Sequence, residues 1–551
     1  MPRSVSSSTD YDAIVIGSGI GGLTAASLLS QLDKRRVLLL ERHFKLGGFT
    51  QTFRRAGFTF DPGLHYVGDM QPGGQMRQFM DLVTRSRVDW FRMPSPFDVF
   101  VYPGLRLEQP DDPVEFRAQL TTRFPQQADA IATYFIDLER ANTWFTRHLA
   151  LQLLPGPARA LAQLLPGRSL ALQTTRAYLD VHFADPRLKA LLVSQWGDYG
   201  LPPSTSAFGM HALVVQSYMH GAWYPIGGAG QIGEQVAELV RSAGGDVLLN
   251  HEVSEIVIEH GKARGVRARR RHGQQLTDVS FRAPLVISDA GAEATFRRLV
   301  PAGLAAREHA AIANLPQPGS MVALYLGLND HPSRIGLQGE NYWLYRGYDH
   351  DMAYANGSDL ADGHVSGCYV SFPSTRDPHA TRHTAQLITW VPAQVFAAWR
   401  EQAWHQRDAA YAALKERISQ ALIDFVDERL PGLRDLIAYQ ELATPLSFEH
   451  FTGHADGAVY GLPATPERFK GPAFGPHTSI PGLLLTGCDV GSLGIIGSMM
   501  GGVMATAAAL GPLGFPRILA SAAKRASPSS VETAPERHHL LAIACRTTTG
   551  I

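Results

Sequence analysis

Gly17, Gly19 and Gly22 fall at the GxGxxG spacing in YDAIVIGSGIGGLTAASLLSQ, and Glu41 follows about 20 residues later. In that order Gly17 permits a tight turn, Gly19 lets a pyrophosphate approach the backbone, and Gly22 lets a helix pack close to a strand. Unpaired N–H groups and the dipole at the helix start favour an anion, and the acidic residue suits ribose hydroxyls. A second set of side chains suits proton handling. His65, in DPGLHYVG, follows a glycine turn and titrates near neutrality when unperturbed; a structural, hydrogen-bonding histidine is the alternative. Asp198 and Tyr199 sit in a glycine-flanked turn before PPS, which is expected to start a helix with Ser204 as N-cap. On that helix Phe208, His211, Val215 and Tyr218 recur at i, i+3, i+7 and i+10. His211 therefore lines a pocket if this face does, and is a satisfied core histidine if it does not. His450 and His454 are further candidates.

The elements that must position these residues are legible as runs. A buried strand, Ala13 to Ile16, precedes the glycines and a helix follows them; a second strand, Val37 to Leu40, ends at Glu41. Gly228, Gly230 and Gly233 repeat the GxGxxG spacing, but HGAWYP precedes them in place of a continuous apolar strand, and the strand Asp246 to Asn250 ends without an acid. A structural turn opening a helix, Gln231 to Ser242, is the reading here, so no separate nicotinamide module is expected. Then come two alternating strands in DVLLNHEVSEIVIEHGKARGVRA and buried strands in APLVISDAGA and GLLLTGCDV. Val490 to Pro516 runs without a charged residue and is long enough for a membrane span. It is rich in Gly, Ala, Ser and Met, and Asp489 stands at its mouth, which favours a helix in contact with a cofactor over an anchor.

The 551 residues suffice for two or more lobes. Lys plus Arg and Asp plus Glu are 50 each, so no global field favours nucleic acid. The three cysteines, Cys368, Cys488 and Cys545, are far apart, which argues against a disulfide framework or a metal site. No apolar leader opens the chain, and a cytoplasmic protein on the inner face of a membrane is expected. From Arg140 to Leu179 there is no acid but five arginines, Arg140, Arg147, Arg159, Arg168 and Arg176, set among leucines and broken by Pro155, Pro157 and Pro166. Such segments suit a membrane interface; a helix pair packed on its own domain is the alternative. From about Lys524 the sequence reads as a solvated, flexible tail, 524–551.

ERHFKLGGFTQTF carries Gly47 and Gly48 soon after Glu41 and resembles the doublet of the FAD-binding superfamily that contains amine oxidases and carotenoid desaturases. FTFDPGLHYVGDM, GDYGLPPSTSAFGMHALVVQSYMHGAWYPIGG and TGCDVGSLGIIGSMMGG are similar to segments of the retinol saturase, carotenoid isomerase and phytoene desaturase family. The resemblance implies an α/β fold with a discontinuous Rossmann-like FAD-binding domain (11–70, 226–300 and 476–512) and an α+β substrate domain (71–225 and 301–475). FAD is the implied cofactor, held by Gly17, Gly19, Gly22, Glu41, Arg42, Gly47, Gly48, Val253, Asp489 and Ile495, with Val253 pairing its backbone with adenine. Phe49 stands where many members have Arg, so the pyrophosphate contact made there is either missing or taken by Arg42 or Lys45. The implied reaction is desaturation or saturation of a carbon–carbon bond in a carotenoid, retinoid or fatty acyl chain, with a quinone, oxygen or a redox protein as electron partner. A redox-neutral cis–trans isomerase and a lipid escort protein are the alternatives.

Overall fold

The computed structural model describes residues 11–154, 164–273, 275–470 and 474–525. Five short strands form one parallel sheet in the order Leu483–Leu485, Val286–Ser288, Ala13–Ile16, Val37–Leu40, Asp246–Leu248. The AIVI, VLLL, VIS and LLL strands are buried throughout, as strands covered on both faces must be. Helices Ile20–Leu32, Gly230–Ser242 and Gly494–Leu510 pack with it in one apolar core. This is the expected Rossmann-like architecture, and residues from the start, middle and end of the chain build it.

The glycine-rich run is explained by backbone proximity. A methyl group on Gly501 would lie 2.2 Å from the Gly487 carbonyl oxygen, and one on Gly502 would lie 2.5 Å from that of Gly21. The helix thus rests directly on the Gly487 turn and on the start of helix Ile20–Leu32. Among the described residues no helix is long and apolar enough to cross a membrane.

An antiparallel sheet, His251–Glu259, Lys262–His272 and Gln275–Arg282, adds a third strand to the two expected; its mostly exposed side chains give it little hydrophobic signal. A seven-stranded mixed sheet runs Ile437–Ala443, Met321–Leu328, His383–Trp390, Gly367–Ser371, Asn341–Tyr345, Asp98–Tyr102, Leu105–Gln109. Its single parallel pairing sets Asn341 opposite Asp98.

Two local expectations change, at the helix after PPS and at the tail. The helix after PPS begins at Phe208, not near Ser204, whose N–H instead donates to Asp351 Oδ1 at 2.8 Å. Within 140–180, the helix Ala128–Leu151 buries Trp144, Phe145 and His148, and Arg176 pairs with Asp180 and Asp351. This part of the stretch packs on the protein; Pro155, Pro157 and Arg159 lie outside the described residues. The tail is preceded by an amphipathic helix, Gly514–Arg525, and 526–551 also lie outside the described residues.

Candidate active site and cofactor cradle

Strand Ala13–Ile16 delivers the chain into Gly17 at φ +91°, and helix Ile20–Leu32 starts immediately after Gly19. A methyl on Gly22 would meet the Gly17 carbonyl oxygen at 2.2 Å, so helix and turn touch backbone to backbone. Glu41 accepts hydrogen bonds from Ser18 N–H at 2.9 Å, Ser18 Oγ–H at 2.6 Å and His43 N–H at 2.8 Å. Gly47 N–H in turn donates to Ser18 Oγ at 3.1 Å. Ser18, which carries no motif of its own, therefore knits the glycine turn, the acid and the doublet together.

One cavity of about 1060 Å³ opens along this cradle, and Gly17, Gly19, Glu41, Arg42, Gly47, Gly48, Val253, Asp489 and Ile495 all line it. Gly22 is not on its wall and serves the packing beneath. Asp489 accepts from Ala292 N–H at 2.6 Å and Leu462 N–H at 2.8 Å, fastening the late turn to two distant segments. Of the two cations considered as substitutes at the Phe49 position, Arg42 lines the cavity, while Lys45 Nζ donates to the Thr52 carbonyl at 2.5 Å. Arg269, Arg297, Arg298 and Asp289 also line the cavity and were not anticipated. Burial pushes Asp289 up to about 8 against the Gly22 N–H, and Glu41 and Asp489 add like-charge repulsion.

The same cavity continues into an aromatic chamber walled by Trp196, Trp343, Tyr345, Tyr369, Trp390 and Tyr460, with His65 and Asp198 among them. Asp198 is pushed up to about 8, first by burial and then by Asp98. Tyr66 Oη lies 2.9 Å from Asp198 Oδ2 and 3.1 Å from Asp98 Oδ2. Asp98 is fully buried and accepts from Asn341 Nδ2 at 2.9 Å, Gln195 Nε2 at 2.7 Å and Trp343 Nε1 at 3.2 Å. The buried Arg376 guanidinium donates to Asn341 Oδ1 and to the carbonyls of His65 and Gly339.

The proposed histidines separate. His65 Nδ1 is 3.3 Å from Ser371 Oγ and its ring meets Tyr369 edge-on; burial and Arg376 hold its pKa down at about 3, so it stays neutral. His211 and Tyr199 are corrected: neither lines the cavity. His211 is buried in the core, Nε2 at 2.8 Å from Tyr134 Oη and Nδ1 at 3.3 Å from Tyr199 Oη. Its helix turns Phe208 and His211 to the core and Val214 and Ser217 to the cavity. His454 is on the wall with Nδ1 at 3.0 Å from the Ala458 carbonyl, whereas His450 stacks on Trp404 away from it.

Residues 20–505 match the family described as Flavin containing amine oxidoreductase. The chain belongs to that family. FAD is its cofactor, and the enzyme is an oxidoreductase. The residues fit it: the turn is closed to any side chain at Gly19, where a methyl would strike Asp289 at 2.5 Å, and the starts of helices Ile20–Leu32 and Gly494–Leu510 open on one cavity. All-trans-retinol 13,14-reductase of Rattus norvegicus is 31% identical over 529 residues, 91% of this chain and 85% of the rat protein. The chloroplastic prolycopene isomerase of Arabidopsis thaliana is 26% identical over 518 residues, 90% and 82% of the two chains. An oxidoreductase structure from Methanosarcina mazei superposes with TM-score 0.60 over 90% of this chain and 99% of its own, at 17% identity, a likeness of fold.

Proposed function

We infer that this flavoenzyme saturates a carbon–carbon double bond in a conjugated polyene chain, of the retinoid or carotenoid type. The observation that carries this reading is the continuity of the glycine cradle with a long aromatic chamber in a single cavity. Flat aromatic walls suit a conjugated chain. The retinol reductase and prolycopene isomerase relatives support the same substrate class.

The Gly17–Gly19 turn and the amides of helix Ile20–Leu32 would hold the diphosphate, Glu41 a ribose hydroxyl and Val253 the adenine edge. Arg42 would face the diphosphate across Gly47 and Gly48. Asp489 and the helix start at Ile495 would border the ring, where the helix dipole favours negative charge. When bound, FAD supplies hydride transfer to or from carbon. The chamber residues orient the chain and exclude water. Electrons would reach the cofactor from a quinone or a redox protein, and a lipophilic substrate would enter from a membrane surface.

The test is anaerobic incubation of the purified yellow protein with all-trans-retinol and, separately, prolycopene. Reoxidation of prereduced flavin with a product two hydrogens heavier supports saturation. Bleaching of oxidised flavin would instead indicate desaturation, and an altered double-bond geometry without spectral change would indicate isomerisation. A colourless, lipid-loaded preparation would point to an escort protein.

A further inference from the structure

We propose that Asp198 is a neutral carboxylic acid that exchanges the proton with the reacting polyene carbon, held ready by a buried chain running Arg376, Asn341, Asp98, Tyr66. The inference rests on the polyene reading above. It stands on hydrogen counting. Tyr66 has one hydroxyl hydrogen but lies within hydrogen-bond distance of two carboxyl oxygens, 2.9 Å from Asp198 and 3.1 Å from Asp98. Were both carboxyls ionised, one contact would set lone pair against lone pair, so one carboxyl must bring its own hydrogen.

The surroundings decide which. Asp98 already accepts from Asn341, Gln195 and Trp343, and Arg376 places a positive charge behind Asn341. Asp98 is therefore the anion: Tyr66 donates to it, and Asp198 donates to Tyr66. Arg376 and Asp98 cancel, and the chain is electrically neutral only while Asp198 keeps its proton. The other titratable groups facing Asp198 are the hydroxyls of Tyr199, Tyr218, Tyr345, Tyr369 and Tyr460, all pushed up by burial and so uncharged.

Asp198 is on the cavity wall and Asp98 is not, so the proton is stored where substrate can reach it. In saturation, one alkene carbon would take a hydride, two electrons and one proton, of the kind that a bound reduced flavin would supply, while the Asp198 carboxyl gives a proton to the other. The π bond breaks and two C–H bonds form. Asp198 is left as a carboxylate, which a proton from water restores to the acid. Tyr66 and Asp98 are positioning residues.

The test uses holoenzyme at pH 7. The infrared difference spectrum between wild type and Asp198→Asn is expected to contain a carboxylic-acid carbonyl band belonging to wild type. With dithionite-reduced holoenzyme and all-trans-retinol, Asp198→Asn is expected to lose at least about 100-fold in rate with FAD content retained. The wild-type rate falls as pH rises through about 8, where Asp198 ionises. Asp98→Asn removes the like charge, so that fall is expected about one unit lower in pH; a structural role would lower the rate without moving it. Absence of the band, or a rate in Asp198→Asn within about threefold of wild type, overturns the proposal. A wild type that shows the band yet leaves all-trans-retinol and prolycopene unchanged refutes the polyene reading and upholds the proton-bearing Asp198.

Discussion

Asn341 and Asp98 face each other across the one parallel pairing in the seven-stranded sheet, and Asn341 Nδ2 donates to Asp98 Oδ1 at 2.9 Å. Sheet register thus fixes a buried polar pair that links Arg376 to a carboxylate. Asn341→Leu removes the bridge and leaves both charges short of a partner. The expected loss is on the order of 2 to 4 kcal/mol, the range for stranding buried polar and charged groups. A lowered urea midpoint checks it; an unchanged one would show that water or Tyr66 fills the gap.

The contact between helix Gly494–Leu510 and the Gly487 turn leaves no room for a side chain at Gly501. Gly501→Ala must push the helix off the turn and is expected to cost about 1 to 3 kcal/mol, the usual cost of overpacking. Gly347 has open space where a methyl group would stand, with no neighbouring atom within 4 Å, and serves as the control. Gly347→Ala is expected within about 0.5 kcal/mol of wild type. Thermal unfolding of the two variants side by side separates close packing from a general intolerance of alanine.

His211 supplies a pH dependence of stability. Its folded pKa is held down at about 3 by burial, below the 6.5 of a free histidine. The unfolded chain therefore takes up the proton first as pH falls, and stability is lost from pH 6.5 downward. His211→Gln removes that contribution whatever it does to absolute stability. Denaturant midpoints measured between pH 7 and pH 5 are expected to fall less steeply in the variant than in wild type.

The cradle is legible in the sequence because its signals are local: strand, Gly17, Gly19, Gly22 and helix are consecutive, and Glu41 ends the next strand. The late uncharged run is legible through its glycines, since close backbone approach needs them and a lipid-facing helix does not. The Asp198 chain is not legible beyond Asp198 itself. Asp98 and Asn341 are 243 positions apart, and only the parallel register brings them together. His211 misleads for a different reason. Periodicity identifies the face it shares with Phe208 and Val215, but a helix packed on both sides does not reveal in its sequence which side is the cavity. Arg269, Arg297 and Arg298 carry no motif; folding alone brings them to the wall.

Asp289 makes a separate prediction about the cofactor. Its carboxyl packs against Gly19 and Gly487, at the start of helix Ile20–Leu32, where an anion is expected to bind. A second negative charge there would oppose a diphosphate. Burial holds the carboxyl neutral until about pH 8, so the site is permissive in the neutral range and becomes repulsive above it. FAD affinity of the apoprotein is therefore expected to weaken as pH rises from 7 to 9. Asp289→Asn keeps the shape without the charge and is expected to flatten that dependence, with an affinity at pH 9 closer to its value at pH 7. Titration of apoprotein with FAD, followed by flavin fluorescence, reads the effect without turnover. An equally steep pH dependence in Asp289→Asn would show that the Asp289 carboxyl is not its source.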